Sequence, residues 1–393
     1  MKKVDFDTVV NRYGTYSTQW DYVQDRFGKA DLLPFTISDM DFKVPDGVSD
    51  IIIQTAKRGL FGYTRWNNPD LKNAIKGWFS RRYNCKIDTD WIVYSPAVIF
   101  TLAKLIEQFS DPKDKVVTFS PCYDAFINTI EANNRDLVEI NINQGVDFDK
   151  LEHVFQVEHP KVFVLCNPEN PLGKVWTKDE MLKIVQLCNA YHVNIISDEI
   201  HMDIRRKGIV GTSLASYFKQ LIVHSAVITS STKAFNTPSL IFSYALIPDE
   251  LDRLLFLHTL KAKNALSSTS YLGMLALIDC YNNEEDWLDQ LNDYLDANFE
   301  YTKKTLKEEL NLNFNIPEAT YLGWIDISPL GIPMADLQKN LVENQSVAIM
   351  DGRVYGNGGS HYLRFNVGAP RQKIVDGLNG LIKAVKMLKN SQK

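Results

Sequence analysis

The feature that most constrains this chain is a rhythm between residues 91 and 229. Five short apolar runs recur there: Trp91–Tyr94, Val116–Phe119, Val162–Cys166, Val193–Ile196 and Ala226–Thr229. Each has the length of a strand buried on both faces. The stretches between them carry helical spacing. The clearest runs from Thr177 to His192, where Thr177 and Glu180 stand at capping-box distance and Met181, Val185 and Cys188 fall on one face. Another starts near Ala97 and carries Ile99, Leu102, Leu105, Ile106 and Phe109. Strand–helix alternation predicts an α/β fold with a mostly parallel central sheet covered by helices.

The last third reads differently. A long helical region is expected from about Glu284 to Leu310, with Trp287, Leu291, Tyr294 and Leu295 on its apolar positions. Strand-like pieces follow at Tyr321–Ile327, Val347–Met350 and Tyr362–Val367, then a final helix near Lys373–Leu388. This predicts a smaller α+β domain. A chain of 393 residues exceeds one simple core, so two domains are the natural expectation. The expected division is an N-terminal segment, residues 1–50, joining the small domain; a large domain, 51–284; and a small C-terminal domain, 285–393.

Composition narrows the function classes. A net charge of −5 gives no electrostatic reason to expect nucleic acid or an acidic membrane surface. The basic clusters Arg81-Arg82 and Arg205-Arg206-Lys207 are short and read as solvated faces. Cys85, Cys122, Cys166, Cys188 and Cys280 are odd in number, scattered and without a C-x-x-C pair. That argues against a disulfide framework or a zinc site and suits a reducing cytosol. The start, Met1-Lys2-Lys3-Val4-Asp5, lacks the apolar region of a secretory signal, and no apolar stretch approaches a membrane span. A cytoplasmic protein is expected.

In open α/β sheets, ligands bind beyond the carboxyl ends of the strands. The residues following the five runs are therefore the candidate site. They are Ser95-Pro96-Ala97, Ser120-Pro121-Cys122-Tyr123, Asn167-Pro168-Glu169-Asn170-Pro171-Leu172-Gly173, Ser197-Asp198-Glu199-Ile200-His201 and Ser230-Ser231-Thr232-Lys233. Lys233 is an amine that becomes nucleophilic if its pKa falls. Ser230 and Thr232 offer hydroxyls, and the helix starting near Ala97 offers free N–H groups and a positive dipole end suited to phosphate. Tyr123 offers a face for stacking, Asp198 a fixed negative charge, Asn170 and His201 hydrogen bonds. An aldehyde cofactor with a phosphate, a pyridine nitrogen and a phenolic oxygen uses all of these groups; pyridoxal 5′-phosphate (PLP) is that molecule. Taken singly, each residue has a plainer reading. Lys233 is then a solvated loop lysine, Tyr123 is packing, and Asn170 is a turn residue. Asp198-Glu199 is then a polar strand end or, more weakly, a metal pair. Their shared position at one sheet edge is what favours the cofactor.

At these residues the sequence resembles fold-type I PLP enzymes of the class I/II aminotransferase superfamily, and within it the MalY/PatB group of cystathionine β-lyases, or C–S lyases. The strongest pieces are the Asn167–Gly173 and Ser197–His201 segments and Ser231-Thr232-Lys233-Ala234-Phe235-Asn236. Ser38-Asp39-Met40-Asp41-Phe42, Phe61-Gly62-Tyr63-Thr64 and Val175-Trp176-Thr177-Lys178 are also similar. His201 stands where the superfamily commonly has Tyr, which is characteristic of the β-lyase group.

The resemblance implies a three-layer PLP-dependent transferase fold whose large domain binds the cofactor. Lys233 would hold it covalently, Asp198 would pair with the pyridine nitrogen, and Asn170 and His201 would contact the phenolic oxygen. Tyr123 would stack on the ring. The backbone amides of Val98 and Ile99, with Ser230 and Thr232, would hold the phosphate. Tyr63 would reach the phosphate of a neighbouring subunit, implying a homodimer. Arg364 would bind the α-carboxylate of an amino-acid substrate as a bidentate fork; its plainer reading is a surface salt bridge. Phe35, Tyr321 and Tyr355 are further candidates for the pocket wall or the core.

The sequence also departs from the group. Ala97, Lys113 and Ser239 sit where Gly is common, and Thr232 replaces a usual Ser. Aminotransferases carry a phosphate-binding Arg eight residues after the lysine. Ile241 stands there, which favours a lyase. The implied reaction is α,β-elimination from a sulfur amino acid such as cystathionine, giving a thiol, pyruvate and ammonia. The alternatives are an aminotransferase and a regulatory binding protein with residual lyase activity.

Overall fold

A computed structural model describes residues 3–391, and the strands among them form two sheets. In chain order, β1 (Leu33–Phe35) belongs to the smaller sheet. The larger sheet takes β2 (Ile92–Ser95), β3 (Lys115–Ser120), β4 (Asp136–Asn141), β5 (Val162–Cys166), β6 (Asn194–Asp198), β7 (Ser225–Thr229) and β8 (Ser243–Leu246). The smaller sheet is completed by β9 (Leu322–Asp326), β10 (Val347–Asp351) and β11 (Tyr362–Asn366).

The larger sheet has the order β2-β8-β7-β6-β5-β3-β4. Strands β7, β6, β5, β3 and β4 are parallel, while β8 runs antiparallel to both of its neighbours. The five apolar runs became β2, β3, β5, β6 and β7, and every residue of β5 and β7 is buried. The expected mostly parallel α/β sheet is therefore present. Its members β4 and β8 were not expected from sequence. The Val98–Phe109 helix lies against β2, β6, β7 and β8 and buries Leu102, Leu105 and Ile106. The Lys178–Tyr191 helix starts on the predicted capping box. Thr177 Oγ1 accepts from Glu180 N at 3.2 Å, and Glu180 Oε2 accepts from Thr177 N at 2.9 Å. Two of the helix's otherwise unpaired ends are thereby satisfied.

The smaller sheet has the order β1-β10-β11-β9, with β1 parallel to β10 in the register Leu33↔Val347, Pro34↔Ala348, Phe35↔Ile349. The Glu285–Leu310, Met334–Gln345 and Arg371–Ser391 helices pack with one another beside it. Phe35 stacks on Phe365 at 4.5 Å and lies beneath the last helix. The helix comes so close that a Cβ at Gly377 would stand 2.2 Å from Phe35 Cζ, which is why glycine is needed inside a helix there.

A strap of irregular chain, residues 36–42, runs between the sheets. From one side, Asn236 Nδ2 donates to the carbonyls of Met40 and Phe42, both at 2.8 Å, and its Oδ1 accepts from Met40 N. From the other, Asn366 Nδ2 donates to the carbonyls of Ile37 and Asp39 at 2.8 and 2.7 Å. Arg12 bridges Asp39 and Asp41, each at 2.8 Å, and the buried Lys373 ammonium also pairs with Asp41. Among the described residues no helix is long and apolar enough to cross a membrane.

Candidate active site

The carboxyl ends of β2, β5, β6 and β7, with the segment after β3, surround one cavity of about 220 Å³. That is room for roughly seven waters, the scale of a small molecule. Its wall includes Lys233, Asp198, Asn170, His201 and Tyr123, together with Ser230, Thr232, Val98 and Ile99. Nine of the residues singled out from sequence thus meet in a single space, although they span 136 positions of chain from Val98 to Lys233.

Lys233 follows β7, and its Nζ donates to the Ser38 carbonyl of the strap at 2.5 Å. The same carbonyl accepts from the Tyr321 hydroxyl at 2.9 Å. Burial pulls the Lys233 amine down to about 8; Asp39 opposes this, Arg364 adds to it and Asp198 opposes. At pH 7.5 roughly a quarter of the amine is then neutral, against about one part in a thousand for an ordinary lysine. Asp198 ends β6, where its Oδ1 accepts from Ile200 N at 3.0 Å. Burial pushes its carboxyl up to about 7; the Ile200 bond works the other way, Glu199 adds to the rise and Lys233 opposes it. His201 is buried and pulled down to about 3 by burial, then by Lys233 and Arg364, so its ring is neutral at physiological pH. Its Nδ1 has no hydrogen-bond partner.

The Val98–Phe109 helix points its start into this cavity. Its N-cap, Ala97, supplies no side-chain cap, and its first turn holds no acidic residue. The first N–H groups and the positive dipole end are therefore uncompensated, the condition for an anion site. Ala97 has φ −151°, ordinary extended backbone, so its methyl does not strain the turn. Ser230 Oγ lies 3.0 Å from Thr232 Oγ1 and 2.5 Å from the Phe242 carbonyl, and the buried Ser95 hydroxyl has no partner.

Arg364, on β11, is only 3% exposed, which rules out a surface salt bridge. Its Nη2 donates to the Thr36 carbonyl at 2.6 Å and its Nη1 to Asn170 Oδ1 at 3.3 Å, while Nε has no partner. The guanidinium lies 4.6 Å from the Tyr355 ring centre and has no carboxylate partner among the described residues. A buried cation without a counter-ion is costly unless a ligand supplies one. Tyr63 does not join this cavity. It is fully exposed, in a neighbouring groove with Phe61, Tyr94 and Tyr271, and Ile241 borders both spaces. Phe35 belongs to the core and not to the pocket wall, because β1 turns it beneath the last helix. Among the described residues no group of three or more His, Cys, Asp or Glu is placed to hold a metal ion. Instead, Glu199 Oε1 accepts from Ser197 Oγ, Leu214 N and Asn167 Nδ2.

Sequence reasoning did not find the Ser38 carbonyl or the two asparagines, Asn236 and Asn366, that hold its strap. A backbone acceptor leaves no side-chain signature. The signals that existed were the Ser38–Phe42 segment and the Asn236 ending the lysine motif.

The chain belongs to the aminotransferase class I and II family, whose model matches residues 30–379. Among its relatives, Protein MalY of Escherichia coli K12 is 41% identical over 98% of this chain and all of that protein. Cystathionine β-lyase PatB of Bacillus subtilis is 33% identical over 95% of this chain and 98% of its own. The crystal structure of the PLP-bound C–S lyase from Staphylococcus hominis superposes with a TM-score of 0.91 at 27% identity, covering 98% of each chain.

Proposed function

We propose that this protein is a PLP-dependent carbon–sulfur β-lyase of the cystathionine β-lyase type, releasing a thiol, pyruvate and ammonia from an L-amino acid. The observation that carries this reading is the meeting of Lys233, Asp198 and an uncompensated helix start in one cavity, with the unpaired cation Arg364 touching Asn170 on its wall. The names of the relatives point the same way.

The residues fit the cofactor group by group. The first-turn amides of Val98 and Ile99, with Ser230 and Thr232, suit its phosphate. Asp198 suits the ring nitrogen, Tyr123 the ring face, and Asn170 with His201 the phenolic oxygen. When bound, the cofactor supplies an electrophilic carbon and a ring that withdraws electrons from the substrate Cα.

The chain's own residues do the rest. Arg364 holds the α-carboxylate and so fixes the substrate about Cα. Lys233, anchored at its base by β7 and lowered toward neutrality, is the amine that removes the Cα proton and can return it to the leaving thiolate. Asp198 holds the proton on the ring nitrogen, and that cation stabilises the carboxylate that burial alone disfavours. Neutral His201 donates a hydrogen bond without adding a positive charge near Lys233. Incubating the holoenzyme with cystathionine is expected to yield pyruvate and free thiol in equal amounts. Amination of an added 2-oxo acid without pyruvate would establish an aminotransferase instead.

The assembly we propose is a cytoplasmic homodimer. Fully exposed Tyr63, beside exposed Phe61 and Leu60, reaches the phosphate end of the neighbouring subunit's site, and the Ile241 border between groove and cavity supports this. Five buried, unbridged cysteines support a reducing compartment. Sedimentation equilibrium at micromolar concentration is expected to give twice the chain mass; a monomer of full activity would refute the shared site.

A further inference from the structure

The strap between the sheets is held by its carbonyls. Thr36 accepts from Arg364, Ile37 and Asp39 from Asn366, and Met40 and Phe42 from Asn236. Ser38, at the middle of this run, lines the cavity. Its carbonyl accepts both from Lys233 Nζ and from the Tyr321 hydroxyl. A carbonyl oxygen has two lone pairs, so these two donors fill it.

Tyr321 is itself held tightly. It is fully buried, immediately before β9, and its ring meets His201 edge-on with 5.7 Å between centres. The residue before it, Thr320, has φ +68°. That is left-handed backbone, where a β-branched side chain is a steric outlier. Such strain persists only where the surroundings over-determine it. Here they do. Thr320 N donates to the Ile204 carbonyl at 2.8 Å, and its own carbonyl accepts from Arg206 Nη2 at 3.1 Å. Its hydroxyl accepts from Leu322 N at 3.1 Å. Ile204 and Arg206 lie three and five residues after His201, which lines the cavity. The segment leaving the cavity wall therefore clamps the strained turn from which Tyr321 reaches the strap.

A buried tyrosine needs some partner for its hydroxyl, and many carbonyls would serve. This one meets the carbonyl that receives the Lys233 amine, and it does so from strained backbone. We propose that Tyr321 is a positioning residue for proton transfer at the substrate Cα: it fixes the Ser38 carbonyl, which in turn fixes the Lys233 amine. With one N–H held on Ser38, the neutral amine turns its lone pair off the strap. Tyr321 does not line the cavity, so it acts through Ser38. The inference rests on the proposed role of Lys233 as the Cα base and adds the group that aims it.

Tyr321→Phe tests this, because it keeps the ring and removes the hydroxyl. The Ser38 carbonyl retains its bond from Lys233, so no buried polar group is orphaned and the fold is expected to stand. Exchange of the Cα proton of L-alanine in deuterium oxide isolates the step, since alanine carries no leaving group. Wild-type holoenzyme, Tyr321→Phe and cofactor-loaded Lys233→Ala are compared by proton NMR, with rates expressed per cofactor-loaded site. Tyr321→Phe is expected to lower the saturated exchange rate roughly tenfold, or about 1.4 kcal/mol, the upper range for one neutral hydrogen bond. Half-saturation by alanine is expected to stay within about twofold, because Arg364 still holds the carboxylate. A saturated rate within about twofold of wild type overturns the proposal and leaves the base assignment intact. A slower rate accompanied by an equal rise in half-saturation also overturns it, since that is damage to binding. Lys233→Ala exchanging as fast as wild type overturns the base assignment and the inference with it, as does a wild-type holoenzyme that exchanges nothing.

Discussion

Replacing Lys233 with alanine is expected to lower turnover by about a thousandfold or more and to remove the visible absorption band of the holoenzyme. In the proposed mechanism two tasks fall on one amine. Among the described residues it is the only lysine lining the cavity, and burial brings its ionisation down to about 8. Positioned proton transfer alone contributes about 10²- to 10⁴-fold. Loss of the covalent anchor adds to that. A small primary amine in the buffer is expected to restore part of the rate, because it can replace the base without replacing the tether. Rescue of this kind distinguishes missing chemistry from a damaged fold. A variant that kept both the band and a rate within tenfold of wild type would remove Lys233 from the mechanism.

Asp198→Asn is expected to do something less usual: lower activity by at least about a hundredfold while making the apoprotein more stable above neutral pH. The sign follows from the direction of the shift. Burial raises the Asp198 carboxyl from 3.8 to about 7. Below about pH 4 the folded and unfolded chains both carry the proton. Between 4 and 7 the folded chain keeps a proton that the unfolded chain has lost, so stability falls as pH rises across that window. Above 7 the full cost is present, about 4 kcal/mol at most. Asparagine removes the titration but can still accept from Ile200 N. Denaturant midpoints of the apoproteins are therefore expected to match at pH 4 and to favour the variant at pH 8. The same displacement at both pH values would show that Asp198 is not held under strain by its burial. In the proposed mechanism the bound cofactor would give Asp198 a cationic partner, so the stability advantage is expected to shrink in the loaded proteins.

How much of this could be read from the chain follows from where each signal lies. Strands β2, β3, β5, β6 and β7 were legible because burial on both faces leaves an unbroken apolar run. Edge strand β4 was not: Asp136–Asn141 alternates charge with partial burial and has a neighbour on one side only. Strand β8 is four residues of Ser-Tyr-Ala-Leu, too short and mixed to mark itself. Strand β1 is three residues with Pro34 at its centre, and only its distant partner β10 makes it a strand. The polar residues that line the cavity were legible because they sit immediately beyond apolar runs. Arg364 is different. Its chemistry was named through a resemblance, and nothing local announces that it is buried without a counter-ion. The contacts that orient Lys233 were the least legible, since the acceptor is a backbone oxygen 195 residues away.

The pairing of β1 with β10 also sets an order of events during synthesis. Every strand of the larger sheet lies between residues 92 and 246, so that sheet can close while the chain is still growing. The smaller sheet cannot. Residue 33 must wait for residue 347, and the strap beside β1 must wait for Asn366. Closing so long a loop is entropically unfavourable until its contacts exist, which makes this the late step. The carbonyl that receives the Lys233 amine belongs to that strap. A ribosome-bound chain can therefore carry a finished binding sheet and an unaligned lysine, and the strap that receives the amine is held only once residues 347 and 366 have been synthesised.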